Sequence, residues 1–323
     1  MANAKAALII AFARPEGVQR LLKAGLDSGV KSFFVAIDGP RSSEHSLLQN
    51  RIINIVEDFR KVPGIEVRVW QRSKNLGVAV SILTAIAWFF SQVDEGVILE
   101  DDLAPSKDFF TFSFAALENY RSNQDVWLIS GSRMKGETPG STINDWSNYP
   151  MIWGWATWSN RWLEIYTALL ERNRPSILRF FSKRSNYWYI GSERAKMGQI
   201  DTWDLPFVNA QLRSKRFSVI PPVNLVTNLG FDEHAAHTTG KSYPLNHPTA
   251  PLPVNWTFSS CPDSLNADVY DEFLDRELYK MHWFHRFLRI YGPFFTTFRM
   301  KKRTTKASLP MRLAKVKIPN LCD

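Results

Sequence analysis

Between residues 6 and 102 the chain alternates short apolar runs with longer stretches whose apolar residues recur at helical spacing, and this alternation constrains the fold more than any other feature. Leu8 to Phe12 reads as a first strand. Pro15 follows where a first helical turn accepts proline, because the missing N–H would be unbonded there anyway. Val18, Leu21, Leu22 and Leu26 form one apolar stripe that ends at Ser28-Gly29. Phe33 to Ile37 is a second strand and Asp38-Gly39-Pro40 a turn. Ser42 or Ser43 can cap the next helix, whose Leu47, Leu48, Ile52, Ile55, Val56 and Phe59 run up to Pro63-Gly64. Ile65 to Trp70 is a third strand, Gly77 to Gln92 a third helix, and Gly96 to Leu99 a fourth strand. Strands returning to one sheet through helical crossovers imply an α/β fold, a Rossmann-like sheet flanked by helices, in which ligands gather at the carboxyl edge of the strands. Arg14, Asp38, Asn75 and the acidic triplet Glu100-Asp101-Asp102 all fall on that edge.

The second half is less regular. Val126 to Ser130 reads as another strand, and 135–149, rich in Gly, Pro, Asn and Ser, as a loop. Met151 to Trp162 is crowded with tryptophan. Helical stretches follow around Trp162 to Glu171 and Leu205 to Lys215, with strand-like Phe217 to Ile220 and Val223 to Val226, then a Gly/His/Thr/Asn loop from Asn228 to His247.

With 323 residues, 45% of them apolar, the chain can bury a substantial core. Two cysteines, Cys261 and Cys322, cannot form a disulfide framework or a zinc cluster. The net charge of +9 resides entirely in 282–323, where ten Lys and Arg stand against Asp323 alone, so the remaining body is neutral. No run reaches the roughly 18–20 uninterrupted apolar residues that cross a bilayer. Ala6 to Ala13 resembles a signal-peptide core, but Arg14-Pro15 follow at once and a buried strand is the expected reading. The tail itself interleaves aromatics and cations (Trp283, Phe287, Arg286, Arg289, then Lys301-Lys302-Arg303), a pattern suited to an anionic bilayer surface. Trp283, Phe287 and Ile290 packing on the body as a final helix is the second reading; nucleic acid is the least favoured partner.

Glu100-Asp101-Asp102 directly after an apolar strand is the strongest chemical signal. Adjacent carboxylates repel, and a divalent cation with hard-oxygen preference, Mn²⁺ or Mg²⁺, would offset their charge and bridge nucleotide phosphates. A solvated turn with a helix cap would give the same three residues. Asp38 before Gly39-Pro40 is what turn chemistry alone predicts. Lys74-Asn75-Leu76-Gly77 precedes a helix whose N-terminal N–H groups suit a diphosphate, or is simply a turn.

Val97-Ile-Leu-Glu-Asp-Asp-Leu103 followed by Asp108-Phe109-Phe110 resembles the metal and nucleotide motif of GT-A glycosyltransferases, particularly the group related to N-acetylglucosaminyltransferase I. Trp153-Gly154-Trp155-Ala156-Thr157-Trp158 and Asn228-Leu229-Gly230-Phe231 with His237-Thr238 resemble its bacterial relatives. The similarity covers roughly 6–240. It implies Asp102 as metal ligand with His237 as a further one, Asp101 at the ribose or metal, and Glu100 at the nucleoside. Ala11, Phe12, Arg14 and Asp38 would line a uracil pocket, and Lys74, Asn75 and Gly77 would face the diphosphate. An aspartate after a tryptophan in this region points to Asp204 as catalytic base, with Asp201 as alternative and Trp203 beside it. Trp153, Gly154 and Trp155 would form a sugar platform.

The implied activity is transfer of a sugar from a UDP-sugar to a hydroxyl of a saccharide or lipid-linked acceptor, with inversion, by a cytoplasmic enzyme held peripherally at the inner membrane face. Residues 1–125 would bind the nucleotide-sugar, 126–281 of the same domain the acceptor, and 282–323 the membrane. A nucleotidyltransferase making the nucleotide-sugar could use the same triplet, although Ala11 to Pro15 is no glycine-rich triphosphate loop. A non-catalytic glycan- or membrane-binding protein is the third reading.

Overall fold

The first four strands and three helices form where the apolar periodicity puts them. A computed structural model describes residues 5–136, 140–171, 183–230, 246–261, 265–279 and 307–319. In it β1 (Ala6–Ala11), α1 (Pro15–Asp27), β2 (Ser32–Ile37), α2 (Ser43–Arg60), β3 (Glu66–Gln71), α3 (Val78–Phe90) and β4 (Glu95–Glu100) alternate as expected. Ser42 caps α2, its hydroxyl accepting from His45 N at 3.2 Å. After β4 come β5 (Leu103–Pro105), α4 (Lys107–Tyr120), β6 (Val126–Ser130), β7 (Asp145–Ser147), β8 (Trp155–Trp158) and α5 (Ser159–Leu170). The rest comprises α6 (Lys183–Lys196), α7 (Asp204–Ser214), β9 (Phe217–Ile220), β10 (Val226–Asn228) and α8 (Leu265–Phe273), which continues as a π-helical turn (Leu274–Leu278), and finally α9 (Leu309–Leu313).

Eight strands form one mixed sheet in the order β3-β2-β1-β4-β8-β6-β9-β7. β3, β2, β1 and β4 are parallel, with Ile9 opposite Val35 on one side and Leu99 on the other. β8 lies antiparallel between β4 and β6, so β6 runs in the same direction as β4. Every residue of β1 is buried, which is why its sequence is continuously apolar rather than alternating. β3, at the edge, exposes Glu66 and Arg68 instead.

Side chains that alternate along each strand feed two cores. Ile9, Val35, Leu99, Val18, Leu21, Ile52, Phe109 and Phe112 pack on the α1/α2/α4 side. Leu8, Ile10, Phe34, Ile98, Val80, Ile86, Trp155 and Phe207 pack on the other, beneath α3, α5 and α7. α3 is apolar on nearly all faces because it is covered outside as well, in part by Leu309 and Leu313 of α9, both buried in the same cluster. Residues 309–313 of the tail thus pack on the body; the final helix expected around Trp283, Phe287 and Ile290 lies outside the described residues, as do seven of the tail's ten basic side chains.

Several elements differ from expectation. β8 forms within the tryptophan-rich stretch: Trp155 faces one core while Ala156 and Trp158 face the other, so aromatic bulk fills both layers. β7 forms inside the expected loop 135–149 by pairing with β9. The expected strand Val223 to Val226 shifts to Val226–Asn228, where its partner β5 selects the register, Asn228 opposite Leu103.

Candidate active site

The ends of β1 and β4 meet at the acidic triplet. Asp101 N donates to Ile10 O (3.0 Å), and Asp101 Oδ2 accepts from Phe12 N (2.8 Å). Arg14 Nη1 lies 3.2 Å from Asp101 Oδ1 and 3.4 Å from Asp102 Oδ2, bridging the two carboxylates. A second guanidinium, Arg20 on α1, donates to Leu103 O (3.2 Å) and Asp101 O (3.4 Å). Burial pushes the Asp101 carboxyl up to about 6, Asp102 adding to the effect while Phe12 N–H and Arg14 oppose it. Glu100 is also raised, first by burial, then by Asp102, Asp101 and Asp204. Asp204 itself stands at the start of α7, about a hundred residues further along the chain.

Two glycines set the approach of neighbouring backbones. A Cβ at Gly17 would fall 1.9 Å from Asp101 O, so α1 lies flush against the triplet. A Cβ at Gly230 would fall 2.3 Å from Asp102 Oδ2. Leu229 N donates to Asp102 O (2.8 Å), and Asn228 Oδ1 accepts from Gly230 N (2.7 Å). The Asn-Leu-Gly run is thus the wall of Asp102. Its Asn-x-Gly turn chemistry is visible in the sequence, but its docking partner is not; the same is true of Arg20 and Gly17.

Among the described residues no group of three His, Cys, Asp or Glu side chains is arranged to hold a cation by itself. Asp102, with 24% of its side chain exposed, offers hard carboxylate oxygen of the kind Mg²⁺ and Mn²⁺ use when substrate phosphates and water complete the shell. The donor set therefore fits a cation shared with a bound diphosphate and does not fit an all-protein cage. His237 lies outside the described residues.

At the end of β2 the side chains expected to contact nucleotide bind one another. Asp38 Oδ1 accepts from Leu76 N (3.0 Å) and Oδ2 from Asn75 Nδ2 (2.9 Å), so this carboxylate clamps the loop before α3. Burial raises its pKa, while the backbone N–H groups of Leu76, Gly39 and Gly77 and the charge of Arg72 pull the other way. Lys74 is exposed and makes no hydrogen bond or ion pair among the described residues. Asp201 occupies the α3 N-terminus, accepting from Val78 N (3.2 Å) and Ala79 N (3.3 Å), and pairs with Arg312 Nη1 of α9 at 3.2 Å. Arg312 also donates to Leu76 O. Gly77, at φ +81°, leaves room for this arrangement: its Cβ would meet Asp201 Oδ2 at 2.3 Å. The helix end expected to face a diphosphate is thus capped by protein, and the Asp201 expected as an alternative base is the group that caps α3.

The tryptophans also divide. Trp155 and Trp203 are 2% and 4% exposed and stack at 6.2 Å between centroids, with Phe207 against both, so their faces are taken up by the core and not open to a sugar. Gly154, at φ +66°, approaches Val226 and Leu99. Trp153 is only half-buried. Asp204 Oδ1 accepts from Leu205 N (2.7 Å) and from the Thr202 hydroxyl, while Oδ2 has no hydrogen bond among the described residues.

No protein-family model matches the chain, and no curated protein matches it. Among solved structures, a UDP-glucose pyrophosphorylase complexed with UDP-glucose is similar at 10% identity and a TM-score of 0.38, over 67% of this chain and 90% of that one. A likeness of that degree bears on neither substrate nor reaction. Among the described residues no helix is long and apolar enough to cross a membrane.

Proposed function

We propose that the chain is a metal-dependent glycosyltransferase of GT-A type that moves a sugar from a UDP-sugar to an acceptor hydroxyl on a saccharide or lipid-linked glycan. The observation that supports this most is the strand-end acidic triplet, with Asp101 held by Phe12 N–H, Arg14 bridging Asp101 and Asp102, and the Asp102 carboxylate still partly exposed. Asp102 would hold Mn²⁺ or Mg²⁺, whose chemistry is to neutralise the charge that develops on the leaving diphosphate. Arg14, already on Asp101 and Asp102, is the side chain's neighbour that must share those oxygens with the cation. Phe12 and Ala11 would border the base, and Glu100 the nucleoside.

Asp204 would act through Oδ2. With Oδ1 fixed by Leu205 N–H and Thr202, the free oxygen takes the acceptor's proton as the acceptor oxygen bonds to the anomeric carbon. The anomeric C–O bond to the diphosphate breaks with its electron pair leaving on UDP. One base and one displacement give inversion, whereas retention by double displacement would need a carboxylate nucleophile as well.

The test is UDP release from a panel of UDP-sugars with Mn²⁺ and mixed saccharide acceptors. Turnover with one donor, its loss on chelation, and a fall of about 10²–10⁴-fold in Asp204→Asn with UDP affinity unchanged are expected. Pyrophosphate release from UTP and a sugar 1-phosphate would instead identify a nucleotidyltransferase. Absence of any Mn²⁺-dependent thermal response to UDP would overturn both readings.

A further inference from the structure

A cleft of about 240 Å³ is lined by Arg133, Lys135, Gly136, Asn224, His247 and Pro248, none of them used above. β6 runs parallel to β4's direction, so the residues that follow Ser130 leave the sheet on the same edge as the acidic triplet. The cleft and the triplet also share one strand. Asn224 stands just before β10, and Gly230, just after it, abuts Asp102; six residues span at most about 20 Å.

The walls are built from buried hydrogen bonds. Asn224, 4% exposed, accepts from Arg133 N (2.9 Å) through Oδ1 and donates to His247 O (2.6 Å) through Nδ2. Asn246 exchanges two bonds with the Asn228 backbone (2.9 and 2.6 Å), laying the segment with His247 along β10. The Tyr270 hydroxyl accepts from Met134 N (2.9 Å). Arg133, 1% exposed, is fixed by Asp145 (2.6 Å) and Pro221 O (3.0 Å), so its charge is offset. The Lys135 ammonium has no such partner among the described residues, so among the lining side chains it carries the positive charge that no carboxylate offsets. His247 Nε2 lies 3.1 Å from Met134 O, which calls for the proton on Nε2 and leaves Nδ1 to accept from a hydroxyl.

We infer that this cleft is the acceptor subsite for an anionic sugar unit, its carboxylate or phosphate oxygen on Lys135 and a ring hydroxyl on His247 Nδ1. The volume lies below the range for drug-sized ligands and suits a single sugar residue. The word acceptor rests on the glycosyltransferase reading; the anionic sugar site does not.

Isothermal titration of the full chain with glucuronate, glucose 1-phosphate, glucose and inorganic phosphate tests the assignment, with Mn²⁺–UDP titrated separately. Glucuronate or glucose 1-phosphate, whichever source of the anion fits, binds at least about tenfold more tightly than glucose and than phosphate alone, the size of one charge-assisted hydrogen bond. Lys135→Gln abolishes that margin and Lys135→Arg keeps most of it, with melting temperature and UDP affinity unchanged in both. Equal affinity for glucose and the anionic sugars, phosphate binding as tightly as the sugar phosphate, or a margin that survives Lys135→Gln overturns the proposal. A Lys135-dependent margin without any UDP response would sink glycosyl transfer and leave the site standing. A UDP response without sugar discrimination would do the reverse.

Discussion

Asp102 is held from two sides, by Arg14 through its carboxylate and by Leu229 through its carbonyl, and Gly230 leaves no spare volume beside it. Gly230→Ala puts a methyl group within 2.3 Å of Oδ2 and must turn the carboxylate away. Mn²⁺-dependent UDP affinity should fall by about tenfold or more, the loss of one charged contact, while urea unfolding shifts little; calorimetry and denaturation read the two separately. Asp38 makes a pH prediction. Its carboxyl is raised in the folded chain, chiefly by burial, so between its ordinary pKa and the raised value the native state holds a proton that the unfolded state has lost. Stability attributable to Asp38 is therefore present at low pH and lost as pH rises through that window. Asp38→Asn, which keeps an oxygen for Leu76 N, should gain on the wild type as pH rises, measured as the difference in urea midpoints at pH 4 and pH 7. At this scale the sequence exposed residue types better than partners. Glu100, Asp101 and Asp102 stood out because three acids end an apolar strand. That Asp38 and Asn75 would bind each other, and that Gly17 and Gly230 would press on the acids, depends on approaches between segments far apart in the chain.

Elements were legible where one period dominated. The first four strands and three helices have continuous apolar runs or clean stripes bounded by Pro, Gly and Ser, and their ends fall within a few residues of expectation. β8 was not legible because Trp-Ala-Thr-Trp is buried on both faces and shows neither alternation nor a β-branched run. β5 and β10, three residues each, exist through each other. The cap on α3 is likewise a tertiary matter, since Asp201 reaches it across 123 residues from Val78. Asp201→Ala removes that cap and the ion pair with Arg312, and should cost about 0.5–2 kcal/mol by chemical denaturation, the range for a lost N-cap. An unchanged midpoint would show that water replaces the carboxylate without penalty.

Across the whole molecule the sheet joins the two halves without interruption, because β8 hydrogen-bonds to β4 of the first and β6 of the second. The elements of the second half thereby share the edge on which the acidic triplet sits. α9 closes the opposite layer by burying Leu309 and Leu313, each worth about 1.5–3 kcal/mol on transfer from water. Ending the chain at residue 306 should therefore lower the urea midpoint and loosen α3, seen as faster amide exchange in its first turn. A truncated chain as stable as the full one would mean that α9 only rests on the body.

The Arg312 contact with Leu76 joins residues 236 apart. During synthesis, sheet and α3 have all their local partners long before position 312 leaves the ribosome, so this corner stays open while the rest can already assemble. Contacts of such separation form late, and the fastening of α9 over the start of α3 should follow assembly of the sheet.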